Sequence, residues 1–151
     1  MRFLKFALII TLAFIPLVSC NGDKSAIDLL VIETSNGKKH IFNISVATEK
    51  EDLERGLMFV ETMPEDEGML FIYKTDMYLS FWMKNTLIPL DILFIRNDGT
   101  IANIHHMAIP HDETHIKSAG GVRAALEING GLAAKLNIKA GDIIKYDLFQ
   151  K

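Results

Sequence analysis

Residues 81–91 read Phe-Trp-Met-Lys-Asn-Thr-Leu-Ile-Pro-Leu-Asp and contain the chain's single tryptophan. Lys84 and Asn85 stand inside apolar sequence, and Asp91 opens the apolar run Ile92-Leu93-Phe94-Ile95. A charge in apolar surroundings costs free energy unless it is paired, so each such group needs a partner or a task. On an alternating strand Trp82 and Lys84 share one face. An aromatic plate beside a cation suits a sugar or an anionic ligand. The plainer use is Trp82 covering the core edge while Lys84 snorkels to water.

Two further charges belong to this reading. Glu127 lies between Ala124-Ala125-Leu126 and Ile128 in a strand pattern. If it points inward it needs a partner, and Arg55, Lys84 and Arg123 are the candidates, with a buried Glu127–Arg55 pair preferred. Pro89 lacks an N–H and belongs at a strand start, an edge or a bulge. Asp91 follows it and is placed to accept backbone N–H bonds in that turn. The expected ligand site therefore comprises Trp82, Lys84, Asn85, Asp91, Arg55 and Glu127. Asp91 and Glu127 also define an alternative: a general acid/base pair, which requires divergent pKa values at a reacting separation. A serine hydrolase has little support, because there is no Gly-x-Ser-x-Gly elbow and Ser80 and Ser118 lack that context.

Four of the five histidines fall within residues 105–115. Imidazole with a nearby thioether suits copper or zinc. His105, His111 and His115 are the candidate ligands, although the spacing matches no zinc motif and adjacent His105 and His106 would face opposite ways on a strand. A solvated histidine-rich loop is the alternative, and no cofactor is expected. The remaining methionines are scattered and suit core filling. Gly130-Gly131, before a short helix, is a weak anion-site signal.

The stretches Glu54-Arg55-Gly56-Leu57-Met58, Gly68-Met69-Leu70-Phe71, Leu126-Glu127-Ile128-Asn129 and Gly141-Asp142 occur in this order around residues 81–91. Together they resemble domain of unknown function 192, a bacterial family, over residues 27–148. The resemblance implies a compact, barrel-like β domain. It implies no chemistry.

The elements that must carry these groups are mostly strands. Ser35-Asn36-Gly37 and Asn97-Asp98-Gly99 are hairpin turns between β-branched runs. Thr48 and Glu51 form a capping-box pattern for a helix that stops at Gly56. Residues 131–137 suggest a second short helix, and residues 110–121 a long polar loop. The fold class expected is α+β: a β-rich, barrel-like or sandwich domain with two short helices.

Residues 1–19 read as a lipoprotein signal peptide, with Arg2 and Lys5 ahead of an apolar run too short to span a membrane. Leu17-Val18-Ser19-Cys20 is lipobox-like, so Cys20 is the expected lipidation site. Cys20 is the only cysteine. A mature domain without thiols has no disulfide, cysteine nucleophile or thiolate metal site. Residues 20–26 form the lipidated cysteine and a tether reaching about 20 Å, and residues 27–151 form one domain. Removing the signal leaves 14 basic and 19 acidic residues, with no basic stripe, so nucleic acid is not an expected partner. The expectation is an envelope lipoprotein, anchored through Cys20 and facing the periplasm, with the outer membrane favoured over the inner. It would bind a small polar ligand or an envelope component. A hydrolase acting on an envelope glycan or ester, and a copper or zinc protein, are the alternatives.

Overall fold

The computed structural model describes residues 28–149. The expected signal segment, Cys20 and the tether all lie outside the described residues. The domain is α+β, with strands β1 (Asp28–Glu33), β2 (Lys39–Ala47), β3 (Glu67–Met77), β4 (Ser80–Phe81), β5 (Leu90–Ile95), β6 (Ile101–Ala108), β7 (Ile116–Lys117), β8 (Val122–Asn129) and β9 (Ile143–Lys145). Helix α1 spans Lys50–Arg55 and α2 spans Leu132–Lys135.

Both hairpin turns form where local chemistry demands them. Gly37 has φ 80° between antiparallel β1 and β2, and Gly99 has φ 83° between β5 and β6. Glycine enters this region without a Cβ penalty. The Asp98 carboxylate accepts the Thr100 N–H at 2.9 Å and tightens the second turn.

Seven strands form one sheet in the order β6-β5-β8-β3-β2-β1-β9. Only β2 and β3 run parallel, which is why the chain between them, including α1, must cross over. The sheet curls until its two ends meet. Thr100 bridges Ile143, and the Ile144 N–H donates to the Gly99 carbonyl at 2.8 Å. The result is barrel-like and not a two-sheet sandwich, because β9 closes back on the β5–β6 turn. A second pairing joins β4 to β7. The segment expected as an unbroken loop over residues 110–121 therefore contributes a short strand.

Each face of the sheet buries its own cluster. Leu30, Ile32, Phe42, Ile44, Leu93, Leu126 and Ile128 pack with α2 residues Leu132 and Ala133. On the other face Phe71, Leu79, Met83, Ile92, Phe94 and Ala125 pack together, with Leu53 of α1 against them. Strand β8 alternates between the two, as a strand buried on both faces must.

The capping box expected at Thr48 and Glu51 does not form. Glu49 occupies the N-cap without a side-chain cap bond, and the Thr48 hydroxyl contacts Glu49 instead, at 3.4 Å. The helix starts one residue later than the pattern requires.

Candidate functional site

Asp91 and Glu127 lie on neighbouring strands. The register pairs Asp91 with Ile128 and Ile92 with Glu127. Opposed residues share a face and successive ones alternate, so the two carboxyl groups leave opposite faces of the sheet.

Asp91 is fully buried on the α2 side. Its Oδ1 accepts the N–H groups of Met107 (2.8 Å) and Gly131 (2.9 Å), and its Oδ2 accepts that of Ala133 (2.8 Å). The anion suggested for the Gly130-Gly131 turn is thus the protein's own carboxylate, clamping α2 to the sheet. The expectation that Asp91 helps form the ligand site is corrected here. It does not line the cavity beside Glu127, because three backbone donors hold it on the other face of the sheet.

Glu127 lies on the α1 side, and its surroundings differ in kind. Its residue is 4% exposed, and Oε2 has no hydrogen-bond partner among the described residues. Burial pushes its carboxyl up to about 8. It is therefore largely protonated at neutral pH. Burial raises the hydroxyl pKa of Tyr73, and the Glu127 charge, present once that acid ionises, adds to the rise.

The expected Glu127–Arg55 ion pair is absent among the described residues. Arg55 ends α1 in an exposed position, and the chain turns at Gly56 (φ 48°) over the β-sheet. A Cβ at Gly56 would lie 3.1 Å from Phe71 Cζ and 3.9 Å from Glu127 Oε2. The backbone at Gly56, rather than a guanidinium, covers the acid.

Beside Glu127 is a cavity of about 430 Å³. Arg55, Gly56 and Met58 line it from α1 and the turn that follows, Phe71 and Tyr73 from β3, and Ser80 and Phe81 from β4. Trp82, Thr86 and His115 also line it, as do Leu53, Glu54 and Leu57. Phe81 meets Phe71 edge-on at 5.2 Å, so both rings are braced. Trp82 is 42% exposed, stacked on His115 at 6.3 Å and capped by Lys84 Nζ at 5.2 Å from its ring. Trp82 and Lys84 do not share a strand face, as β4 ends at Phe81. Lys84 reaches the ring from the irregular segment after β4, and the next residue, Asn85, holds φ 55°, a conformation asparagine tolerates. The Asn85 carbonyl accepts the Phe59 N–H at 2.9 Å, bracing the turn instead of lining the cavity.

Sequence reasoning named His115 as a possible metal ligand and set Ser80 aside, and it missed that the two meet. Ser80 Oγ lies 3.0 Å from His115 Nδ1. They are 35 positions apart, and the β4–β7 pairing alone brings them together. Among the described residues no carboxylate is hydrogen-bonded to His115. The other histidines diverge: exposed His106 approaches Asp91 at 3.9 Å, and His105 and His111 are exposed. Among the described residues no three histidine, cysteine or acidic side chains converge as metal ligands. The expected grouping of His105, His111 and His115 is thus not formed, because His115 turns into the cavity wall.

The family model for DUF192, described as an uncharacterised ACR, matches residues 31–146. The chain belongs to the DUF192 family. Glu127, Gly56, Gly68 and Asp142 all lie in the matched span of this DUF192 chain, and so does the whole cavity wall. A solved structure from Sinorhizobium meliloti 1021, described as a candidate transcription regulator, is 38% identical with a TM-score of 0.79, covering 80% of this chain and 94% of that one. A protein of unknown function from Novosphingobium aromaticivorans DSM 12444 is 41% identical with a TM-score of 0.77, covering 80% and 85%. Among curated proteins, none matches this DUF192 chain.

Proposed function

We propose that this DUF192 protein is a lipid-anchored envelope module that binds a small ligand in the Glu127 cavity. The observation that carries the binding role is the unpartnered Glu127 carboxyl beside an aromatic-walled cavity. The large majority of buried polar groups are hydrogen-bonded, and one left open beside a cavity of ligand size is a candidate to meet a ligand. Trp82 at the exposed edge offers a stacking face, and the uncharged acid at the floor can donate or accept a hydrogen bond.

The anchor rests on the lipobox-like Leu17-Val18-Ser19-Cys20 behind its apolar run. Among the described residues no helix is long and apolar enough to cross a membrane. The description of the Sinorhizobium relative as a candidate regulator is not carried over, because acidic residues outnumber basic ones, 19 to 16. An acid/base enzyme built on Asp91 and Glu127 is not proposed either, since the sheet separates them.

The test uses the full-length protein in detergent. Small saccharides and small polar aromatic compounds are screened by thermal shift and by emission of Trp82, the single tryptophan. The reading predicts at least one compound that stabilises the natural chain and loses most of its effect in Trp82→Ala and Glu127→Gln. A screen without stabilisation, or stabilisation that both variants retain, would sink it.

A further inference from the structure

We propose that the Glu127 cavity receives the ammonium end of a small organic cation, with the Glu127 carboxylate as its counter-ion. The inference rests on the binding role proposed above and names the chemistry of the ligand.

Three observations converge. First, the acid at the floor lacks any protein cation. Arg55 lines the cavity but is exposed and unpaired with Glu127, and Lys84 sits outside on the Trp82 ring. A buried carboxylate is stable only when paired and hydrogen-bonded. An alkylammonium supplies both the charge and up to three N–H donors, one of which meets the open Oε2 lone pairs. Second, Phe71, Tyr73, Phe81 and Trp82 contribute to the wall. Aromatic faces attract cations, and the attraction strengthens where water is excluded. Trp82 already draws one cation, Lys84, at 5.2 Å. Third, the cavity of about 430 Å³ is large enough for a carbon chain behind the ammonium group.

The titratable groups around Glu127 are few. Tyr73 of β3, Glu54 and Arg55 of α1, and His115 from the loop before β7 line the same cavity. Glu54 contacts Lys50 at 3.7 Å at the surface, so Glu127 is the acid left to pair with a ligand. The protonated carboxyl must release its proton to solvent before it can pair with an ammonium ion. The affinity for a cation should therefore rise with pH up to about 8 and level off above it.

Three probes of one carbon skeleton test this: n-butylammonium, n-butanol and butanoate. Each is titrated into the full-length protein in detergent between pH 6 and pH 9, where the amine keeps its proton. Trp82 emission is the readout. At pH 8 butylammonium should bind at least about tenfold more tightly than butanol. Its affinity should fall about fifty-fold from pH 8 to pH 6, following the ionised fraction of Glu127. Glu127→Gln should abolish both the preference and the pH dependence, while His105→Gln, at an exposed histidine outside the cavity wall, should keep them. If Glu127→Gln does not fold, the pH series on the natural chain decides alone. Equal affinity for amine and alcohol, or a flat pH series, overturns the cation and leaves the cavity a binding site. Tightest binding by butanoate overturns it in favour of Arg55 and Lys84. No response to any of the three also overturns it. The proposed binding role falls with it only if the saccharide and aromatic screen is silent too.

Discussion

Asp91 and Glu127 stand one register step apart on adjacent strands, yet one is held by three backbone N–H groups and the other's Oε2 has no partner. The difference follows from the face each occupies. On the Asp91 side, α2 begins against the sheet and presents N–H donors that need an acceptor. On the Glu127 side, the Gly56 backbone and aromatic rings exclude water without replacing it. Two carboxyl groups of similar chemistry therefore differ: Asp91 is a structural clamp, and Glu127 keeps an open oxygen, on which the proposed binding rests.

Glu127 should make stability fall as pH rises. Its folded pKa, about 8, lies above its ordinary value of 4.5, so the folded state binds more protons than the unfolded state between those limits. The stabilisation is complete below about pH 4.5 and is lost by about pH 8, an upper figure of roughly 5 kcal/mol at about 1.4 kcal/mol per unit. Denaturant unfolding at pH 5 and pH 9 should show Glu127→Gln gaining several kcal/mol on the natural chain. Parallel pH curves would rule this out.

Asp91→Asn should be costly at every pH. An amide has one acceptor oxygen, and its NH2 would face backbone donors at about the distances now occupied by Oδ1 or Oδ2. Unmaking charge-assisted bonds in a buried site costs on the order of 3 kcal/mol. Hydrogen exchange should show α2 opening first, with Trp82 emission unchanged. A loss below about 1 kcal/mol would refute the clamp.

Barrel closure should depend on Gly99. A Cβ there would lie 2.6 Å from the Ile144 carbonyl, at φ 83°. Gly37 has φ 80° but nothing within 4 Å of its Cβ position. Gly37→Ala should cost about 1 kcal/mol, the strain alone. Gly99→Ala should cost on the order of 3 kcal/mol, because β9 must shift as well. Equal losses in urea unfolding would show that β9 is not pinned at this turn.

Lys84→Ala should leave stability within about 0.5 kcal/mol, since an exposed charge contributes little to folding. It should alter Trp82 emission by uncovering the ring. A loss above about 2 kcal/mol would mean that Lys84 holds the turn at Asn85 together.

Cys20→Ser should abolish acyl labelling and stable membrane attachment, because lipidation of that thiol is the proposed anchor. Labelling that persists in the variant would refute the lipoprotein reading.

Local chemistry made much of this fold legible before any coordinates. Asn36-Gly37 and Asn97-Asp98-Gly99 encode their own turns, because only residues tolerant of positive φ close a tight hairpin. The family resemblance, read from short ordered motifs, agrees with the matched span of residues 31–146. The strands that carry apolar residues were legible too. The capping box at Thr48 was a local pattern that failed by one position. What no local pattern carried was the parallel pairing of β2 with β3, the meeting of Ser80 with His115, and the face each carboxyl group takes. Those depend on strand order and register, which arise from long-range packing. A residue's neighbours in sequence decide whether it can sit in a strand. Only the assembled sheet decides that three N–H donors await Asp91 while Glu127 faces aromatic rings and a cavity.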